Sequence, residues 1–132
     1  MTEQVSDRDM VTVIADFLEQ GLVENIISMF KADASYYSLV GELLKDERFM
    51  VRLGVSVLFE ELSRSRPREA ELAVPLLLPL LSSSTPAYVR GEAANILGII
   101  GSDQALRALE PLVEDEDPQV AEIARDFVSK SS

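Results

Sequence analysis

Carboxylates and arginines carry the most evident chemistry in this sequence, which contains neither histidine nor cysteine. Without histidine it lacks the usual general base near neutral pH and the commonest metal ligand. Without cysteine it can form no disulfide, thiolate nucleophile or thiolate metal site. The densest acidic group is the run Glu114, Asp115, Glu116, Asp117. It lacks the glycine and the ligand spacing of a calcium loop. Asp117 followed by Pro118 is a strong helix start, so the run reads as a polar turn ending in a cap. Glu60 and Glu61 are adjacent and could suggest an acid–base pair. Neighbours on a helix point about 100° apart, however, so the two do not share one site. Arg64, Arg66 and Arg68 form the one basic cluster, in an expected loop, either solvated or facing an acidic partner. No phosphate-binding glycine loop and no nucleophile elbow is present. The expectation is therefore a protein that is not an enzyme, with no catalytic, cofactor-binding or metal-binding residues.

Charge narrows the partners. The 132 residues carry a formal net charge of −11. Residues 1–33 hold 2 basic against 7 acidic side chains, residues 34–101 hold 7 against 8, and residues 102–132 hold 3 against 8. Such a surface repels phosphate backbones, so nucleic acid is not an expected partner. The polar, acidic start MTEQVSDRDM does not resemble a signal peptide. The longest strongly apolar run, residues 72–81, is too short to span a bilayer and contains Pro75 and Pro79. The expected location is cytoplasmic, away from membranes.

The elements that would position these charges read as helices throughout. Hydrophobic residues make up 47% of the chain and aromatics only 6%, which indicates an aliphatic core of the kind stacked helices build. The clearest helix is 85–101, TPAYVRGEAANILGIIG. Thr85 can cap it, Pro86 suits its first position, and Gly101 supplies the stop. Val89, Ala93, Ile96, Leu97 and Ile100 recur at three- and four-residue steps. Gly91 and Gly98 each cost about 1 kcal/mol in a helix interior relative to alanine, so they point to a backbone packed closely against that face, with a ligand approaching the helix as the other reading.

Before it, a helix capped by Ser6 or Asp7 runs to about 20, with Met10, Val13, Ile14, Phe17 and Leu18 on one face; Gly21 ends it. Further helices follow at 22–31, 36–44 and 49–64. Val51, Val55, Leu58, Phe59 and Leu62 face inward on the last of these. A segment from Pro67 should kink or restart at Pro75. A seventh helix starts at Ser102 or Asp103, and an eighth starts at Pro118 under an Asp117 cap. Residues 1–6 and the tail SKSS are expected to be loose. No hairpin signal appears, so the fold class is all-α.

The helix pairs repeat. Pro79 and Pro111 lie 32 residues apart, as do Pro86 and Pro118, while Val51-Arg52 matches Val89-Arg90 at a distance of 38. An apolar helix ending in Pro-Leu-Leu or Pro-Leu-Val, a polar turn with Thr-Pro or Asp-Pro, and a Val-Arg helix of small residues resembles HEAT repeats. The closest flavour is the short repeat also seen in the phycobilisome-lyase families. The resemblance covers about residues 36–130. It implies one α-solenoid domain over 1–132, with about eight helices: a capping pair at 7–31 and repeats at 36–64, 67–101 and 103–130. Ala121 and Ser129 depart from the pattern, in keeping with a terminal capping repeat.

The resemblance also implies what the arginines do and where a partner would sit. The arginine after the repeat valine often bonds a turn aspartate or a carbonyl of a neighbouring repeat. Asp46 would accept from Arg52 and Asp117 from Arg90, with ligand binding by these arginines as the other reading. The second helix of each pair lines the concave face. Exposed residues implied there are Arg48, Arg52, Glu60, Arg90, Glu92, Asn95, Glu122, Arg125 and Asp126. This mixed surface either recognises a protein or peptide or is simply solvated. The expected function is thus a non-catalytic interaction module or scaffold, monomeric or weakly self-associating. The alternative is an accessory subunit of a bilin lyase-like or other protein-modification system. A nucleic-acid enzyme of the HEAT-like glycosylase kind conflicts with the charge and the absence of tryptophan.

Overall fold

A computed structural model describes residues 6–131, and these form an all-α solenoid of eight helical segments with no strand. The expectations for residues 1–5 and for Ser132 lie outside the described residues. Helix α1 is Asp7–Glu19 and α2 is Val23–Ala32. The third segment, α3, begins as a tight turn over Ala34–Leu39 and becomes α-helical over Val40–Leu44. Helix α4 is Phe49–Ser65. The broken segment α5 runs through Pro67–Ala70, Glu71–Ala73, Val74–Leu77 and Leu78–Leu81. Helix α6 is Ala87–Ile100, α7 is Asp103–Leu109 tightening over Glu110–Glu114, and α8 is Pro118–Lys130.

Local chemistry sets most of these boundaries. Ser6 Oγ accepts from the Asp9 amide at 3.1 Å and starts α1. Gly21 ends that helix with φ 81°. In α5 the two prolines remove backbone donors, and the helix restarts at each of them. Gly101, at φ 68°, lets its amide reach the Leu97 carbonyl and close α6. Ser102 caps α7, and Asp117 Oδ1 accepts from Gln119 and Val120 to cap α8.

Four expectations need correction. Thr85 does not cap α6. Pro86 is the residue before the first turn, and the Thr85 carbonyl is instead held by the Arg90 side chain. Val13 is exposed, because α1 turns only Ile14, Ala15 and Leu18 fully inward. Of the tail, Ser129 and Lys130 belong to α8. Arg64 and Arg68 lie in helices rather than in a loop. Arg64 pairs with Glu61 one turn earlier, and Arg66 pairs with Glu69 at 3.7 Å.

Helices α4, α6 and α8 pack side by side in one layer, with α1 and α2 against the free side of α4. Segments α3, α5 and α7 lie behind them, each packed on its following helix. One continuous apolar core joins the two layers. Val51, Val55, Leu58, Phe59 and Leu62 of α4 are all fully buried in it, as the helical periodicity predicts.

Candidate functional site

Two arginines organise the layer α4–α6–α8. Arg90 is 4% exposed. Its guanidinium forks onto Asp115, with Nε 3.1 Å from Oδ2 and Nη2 2.9 Å from Oδ1. Its remaining nitrogen donates to the Thr85 carbonyl. Arg90 therefore ties the turn before α6 to the turn before α8. Hydrogen bonding from Arg90 holds the Asp115 carboxyl below the usual carboxylate range. Asp117, the expected acceptor, is occupied with its cap. Asp115 takes Arg90 instead, because it precedes the helix and its own Oδ1 also orders the Asp117 amide.

Arg52 sits at the other junction. Its Nε bonds Glu92 at 3.0 Å, and one terminal nitrogen donates to the Asp46 and Glu47 carbonyls at 2.9 Å. The Tyr88 ring lies 4.8 Å from its guanidinium carbon and the Phe49 ring 5.8 Å. Tyr88 also donates its hydroxyl to the Lys45 carbonyl. Asp46 accepts from Arg52 as expected, through its backbone carbonyl, while its carboxylate pairs with Arg48. The hydrogen bond from Arg48 keeps the Asp46 carboxyl below its usual range. Arg48 reaches on to Asp16 and Glu19, so it fastens α1 to the start of α4. One turn along α6 from Glu92, Asn95 donates to Ser56, which is buried on α4.

Each residue expected on the face now has a place. Arg90 is interior and corrects the expectation that it is exposed. Arg48, Arg52, Glu92 and Asn95 are half-buried and spent on bonds between helices. Glu60 on α4, and Glu122, Arg125 and Asp126 on α8, are exposed. The small residues of α6 are packing contacts. A Cβ built on Gly98 would lie 2.3 Å from the Phe127 ring of α8, and one on Gly91 would lie 3.6 Å from Ile123.

What the charges hid is an apolar stripe. Phe49, Leu53 and Val57 recur at i, i+4 and i+8 along α4 and are exposed by 60%, 41% and 39%. Met50 and Tyr88 flank them, both exposed. These five are most of the nine large apolar side chains that the described residues expose, so they form a patch and not a scatter. At one end Phe49 borders a groove of about 420 Å³ between α4, α6 and α8, with Arg52, Tyr88 and Glu92 in its wall and Ile123 across it. At the other end Val57 borders a groove of about 440 Å³ with Glu24, Glu60 and Glu61. The signal was present in the sequence. Once Val51, Val55, Leu58, Phe59 and Leu62 fill the inward face, four apolar residues of α4 have no core position left.

Glu61 is taken by Lys31 and Arg64, whose hydrogen bonds lower its pKa, while Glu60 points into solvent. Among the described residues no cluster of three or more acidic side chains is arranged to hold a metal ion, and no helix is long and apolar enough to cross a membrane.

A family model for HEAT repeats matches residues 39–126 of the chain. No curated protein and no solved structure matches it.

Proposed function

The chain belongs to the HEAT-repeat family, and on that premise we propose that it is a non-catalytic interaction module that docks a partner protein on the outer face of α4 and the grooves at its two ends. HEAT repeats generally mediate protein–protein contact or scaffolding. The observation that carries the finer reading is the exposed stripe Phe49–Leu53–Val57 with Tyr88 beside it. A patch of that kind, apolar at its centre and polar at its rim, is how a recognition surface differs from ordinary solvated helix. Arg48, Arg52, Glu92 and Asn95 act in it as the frame that fixes the helices. Glu122, Arg125 and Asp126 on α8 supply rim charge beyond the groove beside Phe49. The net charge of −11 opposes nucleic-acid binding and disfavours self-association, so the module works as a monomer or weak homo-oligomer on a protein partner.

The test is site-specific photo-crosslinking in the native cell, with the reactive group at Val57 or Tyr88 and, for comparison, at Arg107 or Glu110 on α7. Adducts should form from the α4–α6 positions and disappear when Leu53→Glu is added. Adducts from α7 alone, or adducts indifferent to Leu53→Glu, would sink the reading.

A further inference from the structure

We propose that the occupant of the α4 face is a basic amphipathic helix of the partner, its apolar side lying along Phe49, Leu53 and Val57 and its lysines or arginines meeting Glu24 and Glu60. This rests on the reading of that face as a docking surface and adds the chemistry of what docks.

Charge is the first reason. Every cation that lines the two grooves is already committed to a carboxylate of this chain. Lys31 and Arg64 are on Glu61, and Arg52 is on Glu92. Glu24 and Glu60 also line the groove beside Val57, are exposed, and form no ion pair among the described residues. The face therefore offers uncompensated negative charge and no free positive charge. An acidic partner would meet repulsion on top of the chain's net −11, and so would a second copy of this chain.

Backbone chemistry is the second reason. The face is made only of helices, whose backbone donors and acceptors are satisfied internally. An extended peptide would find no strand edge to pair with. A helix arrives with its own backbone bonds closed and needs only a side-chain stripe. Phe49 to Val57 spans about 12 Å, two turns of helix, which matches apolar anchors at i, i+4 and i+7 or i+8 on the partner.

The probe is a synthetic helical peptide of leucine and lysine, leucines at three- and four-residue spacing, with fluorescence anisotropy as the readout. A scrambled-order peptide and a leucine–glutamate peptide are the controls. The lysine peptide should bind the intact chain and weaken as salt rises. Leu53→Glu should weaken it roughly tenfold or more. Glu60→Lys should weaken it at least about threefold, while Glu110→Lys, with the same change in net charge but on α7, should leave it nearly unchanged. Equal weakening by Glu60→Lys and Glu110→Lys would reduce the effect to overall charge and overturn the proposal. So would equal binding of the scrambled or the glutamate peptide. Self-association abolished by Leu53→Glu would make the occupant a second copy, and also overturn it. Failure of the docking reading itself looks different: adducts then fail to form at Val57 and Tyr88. If they form there but map to an acidic or extended segment, the face stands and only its basic helical occupant falls.

Discussion

Helix α6 meets α8 through glycine and meets α4 through long polar side chains. Toward α8, Gly98 lets the Phe127 ring come so near that no Cβ fits between them. At the start of the same helix Arg90 is buried against Asp115. Toward α4, the bridges are Arg52–Glu92 and Asn95–Ser56, both part-buried. The glycine junction exposes less apolar surface: from Val89 to the end of the described residues no large apolar side chain is fully exposed, although Ile123 and Phe127 are half-buried. The bridged junction keeps Phe49 and Tyr88 outside, around a stacked arginine. A ring seated on a glycine uses up a surface. Polar bridging holds the helices in register and leaves a surface to be used.

The strongest way to break the comparison is Arg90→Ala. It leaves Asp115 buried without its cation and the Thr85 carbonyl without its donor. A loss of about 3 kcal/mol or more is expected, read by urea unfolding. Acid adds a second readout. The Asp115 pKa is lowered in the folded state by Arg90, so its contribution is present above the unfolded value near 4 and is lost as pH falls below it. Stability of the intact chain should fall below about pH 4, and Arg90→Ala should flatten that fall. A loss under about 1 kcal/mol would mean that the buried pair does not organise the junction.

Gly98→Ala probes the close approach directly. The new methyl cannot coexist with Phe127 where it stands, so the ring or α8 must shift, at a cost of about 1–3 kcal/mol. Phe127→Ala loses packing on its own, but adding it to Gly98→Ala should cost less than the two losses summed. Strict additivity in that double-mutant cycle would show that ring and glycine do not meet in solution. At the bridged junction Arg52→Ala should cost only about 1 kcal/mol, since Arg52 and Glu92 are partly solvated and water can take over their bonds. A cost as large as that of Arg90→Ala would erase the distinction between the junctions.

Much of this was legible before any coordinates. The periodicity of α4, the glycine stop of α6 and the Asp117-Pro118 start of α8 are local, and local chemistry is written in consecutive residues. Asp46 accepts from Arg52 through its carbonyl, as expected. The carboxylates that receive Arg52 and Arg90 were not legible, because neighbouring aspartates differ only in which one a cap or a nearer arginine claims. Asp117 caps α8 and so Asp115 is left for Arg90; the Asp46 carboxylate is taken by Arg48, and Glu92, 40 residues away, takes Arg52. The expected face was built from charged residues, and charges on a helix layer tend to find each other across it. The exposed stripe went unseen because Phe49, Leu53 and Val57 look like core in a helix that is apolar on most sides.

The smallest expected effect sharpens the comparison most. Leu53→Glu places a charge at a position already 41% exposed, so the folded chain has little to lose and thermal unfolding should move by no more than about 0.5 kcal/mol equivalent. A core leucine treated the same way, such as Leu58 five residues further along α4, would bury an unpaired carboxylate and collapse the fold. If Leu53→Glu unfolds the protein, the stripe is structural and α4 has no free face. If it leaves stability intact while abolishing capture of a partner, then an apolar row on the bridged side of the layer is maintained at the expense of solubility, and binding is what it is for.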